Sequence, residues 1–142
     1  MTRVDFYTQT PDPQKLACRL AQKAFCAGQR LLVWLVDLHA LNAFNAALWS
    51  FEEAAFVPHC RPTDAIAPHT AVWLTAQLTP EPNVVYPSIL LNLAGSMPGN
   101  PGRFSRILEV IGKGNDALAL GRQRFRLYQT HGFDLHHHAM GQ

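Results

Sequence analysis

Two adjoining stretches decide the fold: Asp12-Pro13-Gln-Lys-Leu-Ala-Cys-Arg-Leu-Ala-Gln-Lys-Ala-Phe-Cys-Ala-Gly28 and Leu31-Leu-Val-Trp-Leu-Val36. Asp12 stands where an N-cap is needed, and Pro13 follows at the first helical position, where its missing N–H leaves no bond unmade. Leu16, Leu20 and Ala24, with Ala17, Ala21 and Phe25, then recur at helical spacing until Gly28, which is placed to end the helix. Leu31 to Val36 is too short for a buried helix and apolar throughout, as a strand covered on both faces would be. Upstream, Val4 to Thr8 is rich in strand-forming residues and stops at Thr10-Pro11-Asp12-Pro13. Strand, helix and strand at this spacing make a parallel βαβ unit.

A second helix is expected from about Leu38 to Trp49. Further strands are expected at Ala71-Val-Trp-Leu-Thr75 and Ser88-Ile-Leu-Leu-Asn-Leu93, with Pro80, Pro82 and Pro87 breaking the loop between them. Gly95-Ser-Met-Pro-Gly-Asn-Pro-Gly102 reads as a turn-rich connection. After it the spacing predicts a short helix, Phe104 to Ile111, and beyond Gly112-Lys-Gly114 a final helix capped by Asn115 or Asp116. The 142 residues fit one domain, 1–142, with no internal repeat. The predicted fold class is α/β in three layers: a mostly parallel sheet with helices on both faces, of Rossmann-like topology.

A nucleotide site is not expected in it. The turn after the first strand, Thr8-Gln-Thr-Pro-Asp-Pro13, has no glycine to let a backbone approach a pyrophosphate, and neither G-x-G-x-x-G nor a P-loop occurs. The G-x-S-x-G of a nucleophile elbow is absent as well. Cys60 follows His59, but adjacent side chains diverge, and Pro58 and Pro62 mark the segment as loop. Glu52-Glu53 belongs on the solvated end of the second helix and makes no acid–base pair. His136-His137-His138 is expected to be a fraying tail or an added remnant, because consecutive residues do not converge on a metal. No catalytic residue, cofactor or metal is expected.

Composition narrows the partners. Residues 1–100 carry six Lys/Arg against seven Asp/Glu, and 101–142 carry six against three, so the net charge of +2 is concentrated in the last third. A duplex-DNA or membrane-surface binder needs a larger basic footprint, which leaves a local acidic partner. Cys18, Cys26 and Cys60 are odd in number and lack zinc-site spacing; they fit reduced thiols of a cytoplasmic protein, with Cys18 and Cys26 buried on one helix face. The N-terminus has no apolar signal core, and no apolar run reaches the length of a membrane span.

That positive excess lies in Asp116-Ala-Leu-Ala-Leu-Gly-Arg122-Gln-Arg124-Phe125-Arg126-Leu-Tyr128-Gln129. At about 100° per residue, Arg122, Arg126 and Gln129 share one polar strip, with Phe125 and Leu118 along its edge. Two arginines beside an aromatic would suit a ligand both acidic and apolar. Such a strip on an amphipathic helix more often only keeps a protein in solution. A direct single-strand nucleic-acid module is the alternative use of the same helix.

Two blocks together narrow the choice: Ala47-Leu-Trp49-Ser-Phe-Glu-Glu-Ala-Ala-Phe56-Val57-Pro58-His59, and Arg122-x-Arg124-Phe125-Arg126-x-Tyr128-x-x-x-Gly132-Phe133-x-Leu135. In that order, with Val4-Asp-Phe-Tyr7 and Gly28-Gln-Arg30-Leu-Leu-Val before them, they resemble the chi subunit of bacterial DNA polymerase III holoenzyme over nearly the whole chain. The resemblance implies a non-catalytic accessory of the clamp-loader complex. Such subunits join that complex, through the psi subunit where one exists, to single-stranded-DNA-binding protein, whose acidic C-terminal tail ends in phenylalanine. It places Arg122, Phe125 and Arg126 at the tail-binding positions. Leu118 and Gln129 stand where better-known members carry a lysine and an arginine, so each thins the charge by a contact worth about 1 kcal/mol. Arg124 also aligns, but the helical wheel turns it toward the apolar arc, where its head must reach a carboxylate or a carbonyl. Trp49 and Phe56, with Val57 and Pro58, are implied as the surface for psi, or for another partner such as a helicase. Read without the resemblance, Trp49 would more often be a lid on the core.

Overall fold

Seven strands form one sheet: β1 (Arg3–Thr10), β2 (Leu31–Trp34), β3 (His59–Cys60), β4 (Val72–Thr75), β5 (Ile89–Asn92), β6 (Arg106–Gly112) and β7 (Asp134–Ala139). Their order is β3-β4-β2-β5-β6-β1-β7, and every neighbouring pair is parallel. Helices α1 (Pro13–Cys26), α2 (Leu38–Ser50) and α3 (Asn115–Thr130) cover the sheet. This is a computed structural model, and it describes residues 1–52, 56–78 and 84–140. Glu53, Pro80 and Pro82 lie outside the described residues.

The strand order fixes which face each helix covers. Passing from β1 to β2 and from β2 to β3, the chain steps toward the same edge, so right-handed crossovers put α1 and α2 on one face. From β6 to β7 it steps the other way, and α3 lies on the opposite face. The core divides accordingly. Leu31 and Val33 of β2, Val72 and Leu74 of β4 and Leu91 of β5 pack with Ala17, Ala21, Phe44 and Leu48. Leu32, Trp73 and Leu90 alternate to the other face, in the cluster that holds Phe6, Ile107, Ile111 and Tyr128.

Local signals act as expected at α1 and α2. The Asp12 carboxylate accepts from the Lys15 N–H at 3.1 Å, and Asp37 accepts from Ala40 N–H at 2.8 Å. Gly28, at φ +72, takes the left-handed conformation that closes α1.

Five expectations need correction. Residues 106–112 form the interior strand β6, between β5 and β1, not a helix over Phe104 to Ile111. Glu109 interrupts the apolar run and imitates helical spacing, yet it is fully buried. The segment 134–139 is the edge strand β7, with Leu135 opposite Val4 and His138 opposite Tyr7, rather than a fraying tail. An edge strand buries only part of each face, so polar histidines are tolerated there. His59-Cys60 is a short edge strand beside β4, not loop. α3 begins with Gly114 as its N-cap and has no side-chain cap bond. Cys26, moreover, is exposed, whereas Cys18 and Cys60 are buried.

Candidate functional site

The N-terminal half of α3 sits close to the sheet because residue 121 has no side chain. A Cβ on Gly121 would collide with Cδ1 of Ile111. Beside this contact a cavity of about 240 Å³ opens between α3 and the C-terminal ends of β1, β6 and β7. Its apolar side is Phe6, Ile111, Leu118 and Phe125; its polar side is Thr8, Gln9, Arg122 and His137. Phe125 meets Phe6 edge to face at 5.2 Å between centroids, which fixes one wall. Gln9 is brought to the rim by an irregularity in β1, where the pairing with β6 slips between Tyr7 and Thr10 and Gln9 adopts φ +54.

Three of the five helix residues implied for tail binding, Leu118, Arg122 and Phe125, line this cavity. Arg126 and Gln129 are exposed farther along α3 and do not. Thr8, Gln9 and His137 come from strands distant in sequence, and no helical spacing could have found them. The register of β7 against β1 was the missing signal: it sets His137 opposite Phe6 and turns it toward α3.

Arg124 points the other way and serves the fold. Its Nε donates to Glu109 Oε1 at 3.1 Å and its Nη1 to the Gly95 carbonyl at 2.9 Å, so it reaches both a carboxylate and a carbonyl. Glu109 Oε2 accepts from the Tyr128 hydroxyl at 2.7 Å and from Asn92 Nδ2 at 2.9 Å. Burial raises the Glu109 carboxyl above its ordinary value, against the pull of Arg124, Tyr128 and Asn92. The Tyr128 phenol is raised as well, first by burial and then by the neighbouring carboxylate.

On the opposite face Asp5 is fully buried and accepts from Arg3, from Arg106 Nε at 2.8 Å and from His138 Nε2 at 2.9 Å. Burial alone would raise this carboxyl, but the hydrogen bonds from Arg3, His138 and Arg106 hold it well below the usual carboxylate range. The cluster ties β1, β6 and β7 together, with both Asp5 oxygens engaged.

A second surface lies at the end of α2. Trp49 is 59% exposed and Phe56 60%, with ring centroids 5.8 Å apart. His59 packs 5.2 Å from Trp49 and is held by the Val57 carbonyl at 2.7 Å and Asn45 Oδ1 at 2.8 Å. Trp49 is therefore no lid on the core. Val57 is, in contrast, 1% exposed and belongs to the core under α1 and α2, so its side chain supports the patch from beneath and offers a partner nothing. Pro58 is half-buried beside it.

Among the described residues, the surroundings of Cys60 do not favour its thiolate. Burial raises its thiol, and His59 is engaged with Val57 and Asn45. Burial likewise pushes the Cys18 thiol up to about 11. Among the described residues no three His, Cys, Asp or Glu side chains are grouped to hold a metal ion, and no helix is long and apolar enough to cross a membrane.

Comparison with known proteins agrees over the whole length. Residues 1–136 match the family described as DNA polymerase III chi subunit, HolC. A protein of Pseudomonas aeruginosa named DNA polymerase III subunit chi is 34% identical over 144 residues, covering 99% of this chain and 98% of the relative. Proteins of the same name from Escherichia coli K12 and Haemophilus influenzae are 23% and 22% identical, each over 86% of this chain.

Proposed function

Because this chain belongs to the family of DNA polymerase III chi subunits, we propose that it is a non-catalytic accessory of the replicase, joining the clamp-loader complex to single-stranded-DNA-binding protein. The α3 cavity takes the acidic C-terminal tail of that protein. One observation carries this reading: Arg122 and Phe125 share a cavity whose apolar side is large enough for a phenyl ring and whose described lining contains no carboxylate. The guanidinium pairs with tail carboxylates, and the ring enters beside Phe125 and Leu118. Arg126 and Gln129 extend the polar strip beyond the cavity, where the acidic residues preceding the terminal phenylalanine would run.

The exposed pair Trp49 and Phe56, with His59 packed beside Trp49 and Pro58 flanking it, is the docking surface for psi or an equivalent subunit of the clamp loader, or for a helicase at the same place. An aromatic pair held at a fixed separation is the usual centre of such an interface. All of 1–142 works as one chi-type domain in the cytoplasm, needing no cofactor or metal.

Binding of the single-stranded-DNA-binding protein, intact and with its tail removed, tests the proposal by titration calorimetry. Binding of the intact protein alone is expected, and it should weaken with salt because the pairs are exposed. Equal binding of both forms, or binding of bare oligonucleotide with a steep salt slope, would replace the tail socket with a nucleic-acid surface.

A further inference from the structure

The α3 cavity has a second polar wall that helical spacing does not reveal. His137 extends from β7 toward α3, while its neighbours turn away: His138 reaches Asp5, and His136 lies 3.0 Å from Asp134. Its Nε2 is within hydrogen-bond distance of Thr8 Oγ1 on β1. A hydroxyl can donate to a neutral imidazole or accept from an imidazolium, so Thr8 holds the ring in place in either state and leaves the other ring nitrogen free.

We propose that His137 is a ligand-binding residue of this cavity, opposing Arg122 and pairing in its protonated form with a carboxylate of an acidic peptide, so that binding strengthens as pH falls. This inference rests on the tail-socket reading above.

The groups facing His137 make the dependence one-sided. α3 presents Arg122, the only charged side chain of the described lining, with Leu118, Gly121 and Phe125 beside it. β1 presents Thr8, Gln9 and Phe6, and β6 presents Ile111, all uncharged. Arg126 and Lys113 are exposed outside the lining. With no carboxylate in that lining, the imidazolium has only the arginine for electrostatic company until an acidic ligand enters. Ligand binding therefore takes up a proton. If the carboxylate favours the cation tenfold, affinity rises about sixfold between pH 8 and pH 6, a range in which peptide carboxylates stay ionised.

The test is fluorescence anisotropy with a labelled peptide ending in Asp-Asp-Ile-Pro-Phe, at pH 6 and pH 8, on the parent chain, His137→Gln and His136→Gln. The parent and His136→Gln should bind about sixfold tighter at pH 6. His137→Gln should change less than twofold between pH 6 and pH 8. The same rise in His137→Gln would overturn the role of His137 alone. A parent chain that binds the peptide at neither pH would overturn the socket reading and this inference with it.

Discussion

Replacing Arg124 by methionine should unfold this protein far more readily while leaving the socket intact. Methionine keeps much of the buried stem but removes the bonds to Glu109 Oε1 and the Gly95 carbonyl. The carbonyl bond is worth about 1 kcal/mol. The larger loss is at Glu109, a carboxyl with no exposed surface, which then keeps only Tyr128 and Asn92 as donors. Removing one partner of such a pair costs about 3–5 kcal/mol, because the remaining charge is stranded in the core. Together these come to about 4–6 kcal/mol, and with a urea slope of about 2 kcal/mol per molar the unfolding midpoint should fall by about 2–3 M. Followed by circular dichroism, Arg124→Met, Glu109→Met and the double variant complete a cycle in which the double loses less than Arg124→Met alone. Peptide affinity per folded molecule should match the parent, since the Arg124 head does not line the cavity. A midpoint shift below 0.5 M, or strict additivity in the cycle, would refute the reasoning.

Gly121→Ala should lower stability by about 1–3 kcal/mol, read as a drop in melting temperature, because the new methyl meets Ile111 at the floor of the cavity. Asp5→Asn tests the opposite face: the depressed carboxyl of the parent contributes stability that is present above the ordinary value of 3.8 and lost as pH falls below it. Its acid-unfolding curve should therefore flatten below pH 4, and an unchanged curve would exclude the cluster as the source. Trp49→Ala and Phe56→Ala should each change stability by about 1 kcal/mol or less yet abolish capture of the clamp-loader partner in a pull-down, whereas Val57→Ala should cost more stability than either.

The first half of the fold was legible because its signals are local. Asp12-Pro13 starts a helix, Gly28 ends it, and the run from Leu31 needs no partner to be identified as a buried strand. β6 was misread because Glu109 looks like the wet face of a helix, and only the arrival of Arg124, Tyr128 and Asn92 makes its burial tolerable. Those partners lie fifteen to nineteen residues away and converge only in the folded chain. β7 failed for a related reason: three histidines carry no strand signal, and the pairing with β1 that orders them is non-local.

The site divides the same way. Helical spacing could separate Arg122 from Arg124 and put Phe125 and Leu118 at the edge of the strip, since all lie on one helix. It could not say that the strip borders a cavity, that Arg126 and Gln129 fall outside it, or that Thr8 and His137 close it. Nor could it say whether Trp49 is covered, which depends on where the chain after α2 runs.

Arg122 is the residue on which the tail-socket reading turns, and its reversal is the most direct measurement. In a fluorescence titration with the acidic peptide ending in phenylalanine, Arg122→Glu should bind at least tenfold more weakly than the parent chain, with an unchanged unfolding midpoint because the side chain is exposed. Equal affinity of Arg122→Glu and the parent would contradict the socket.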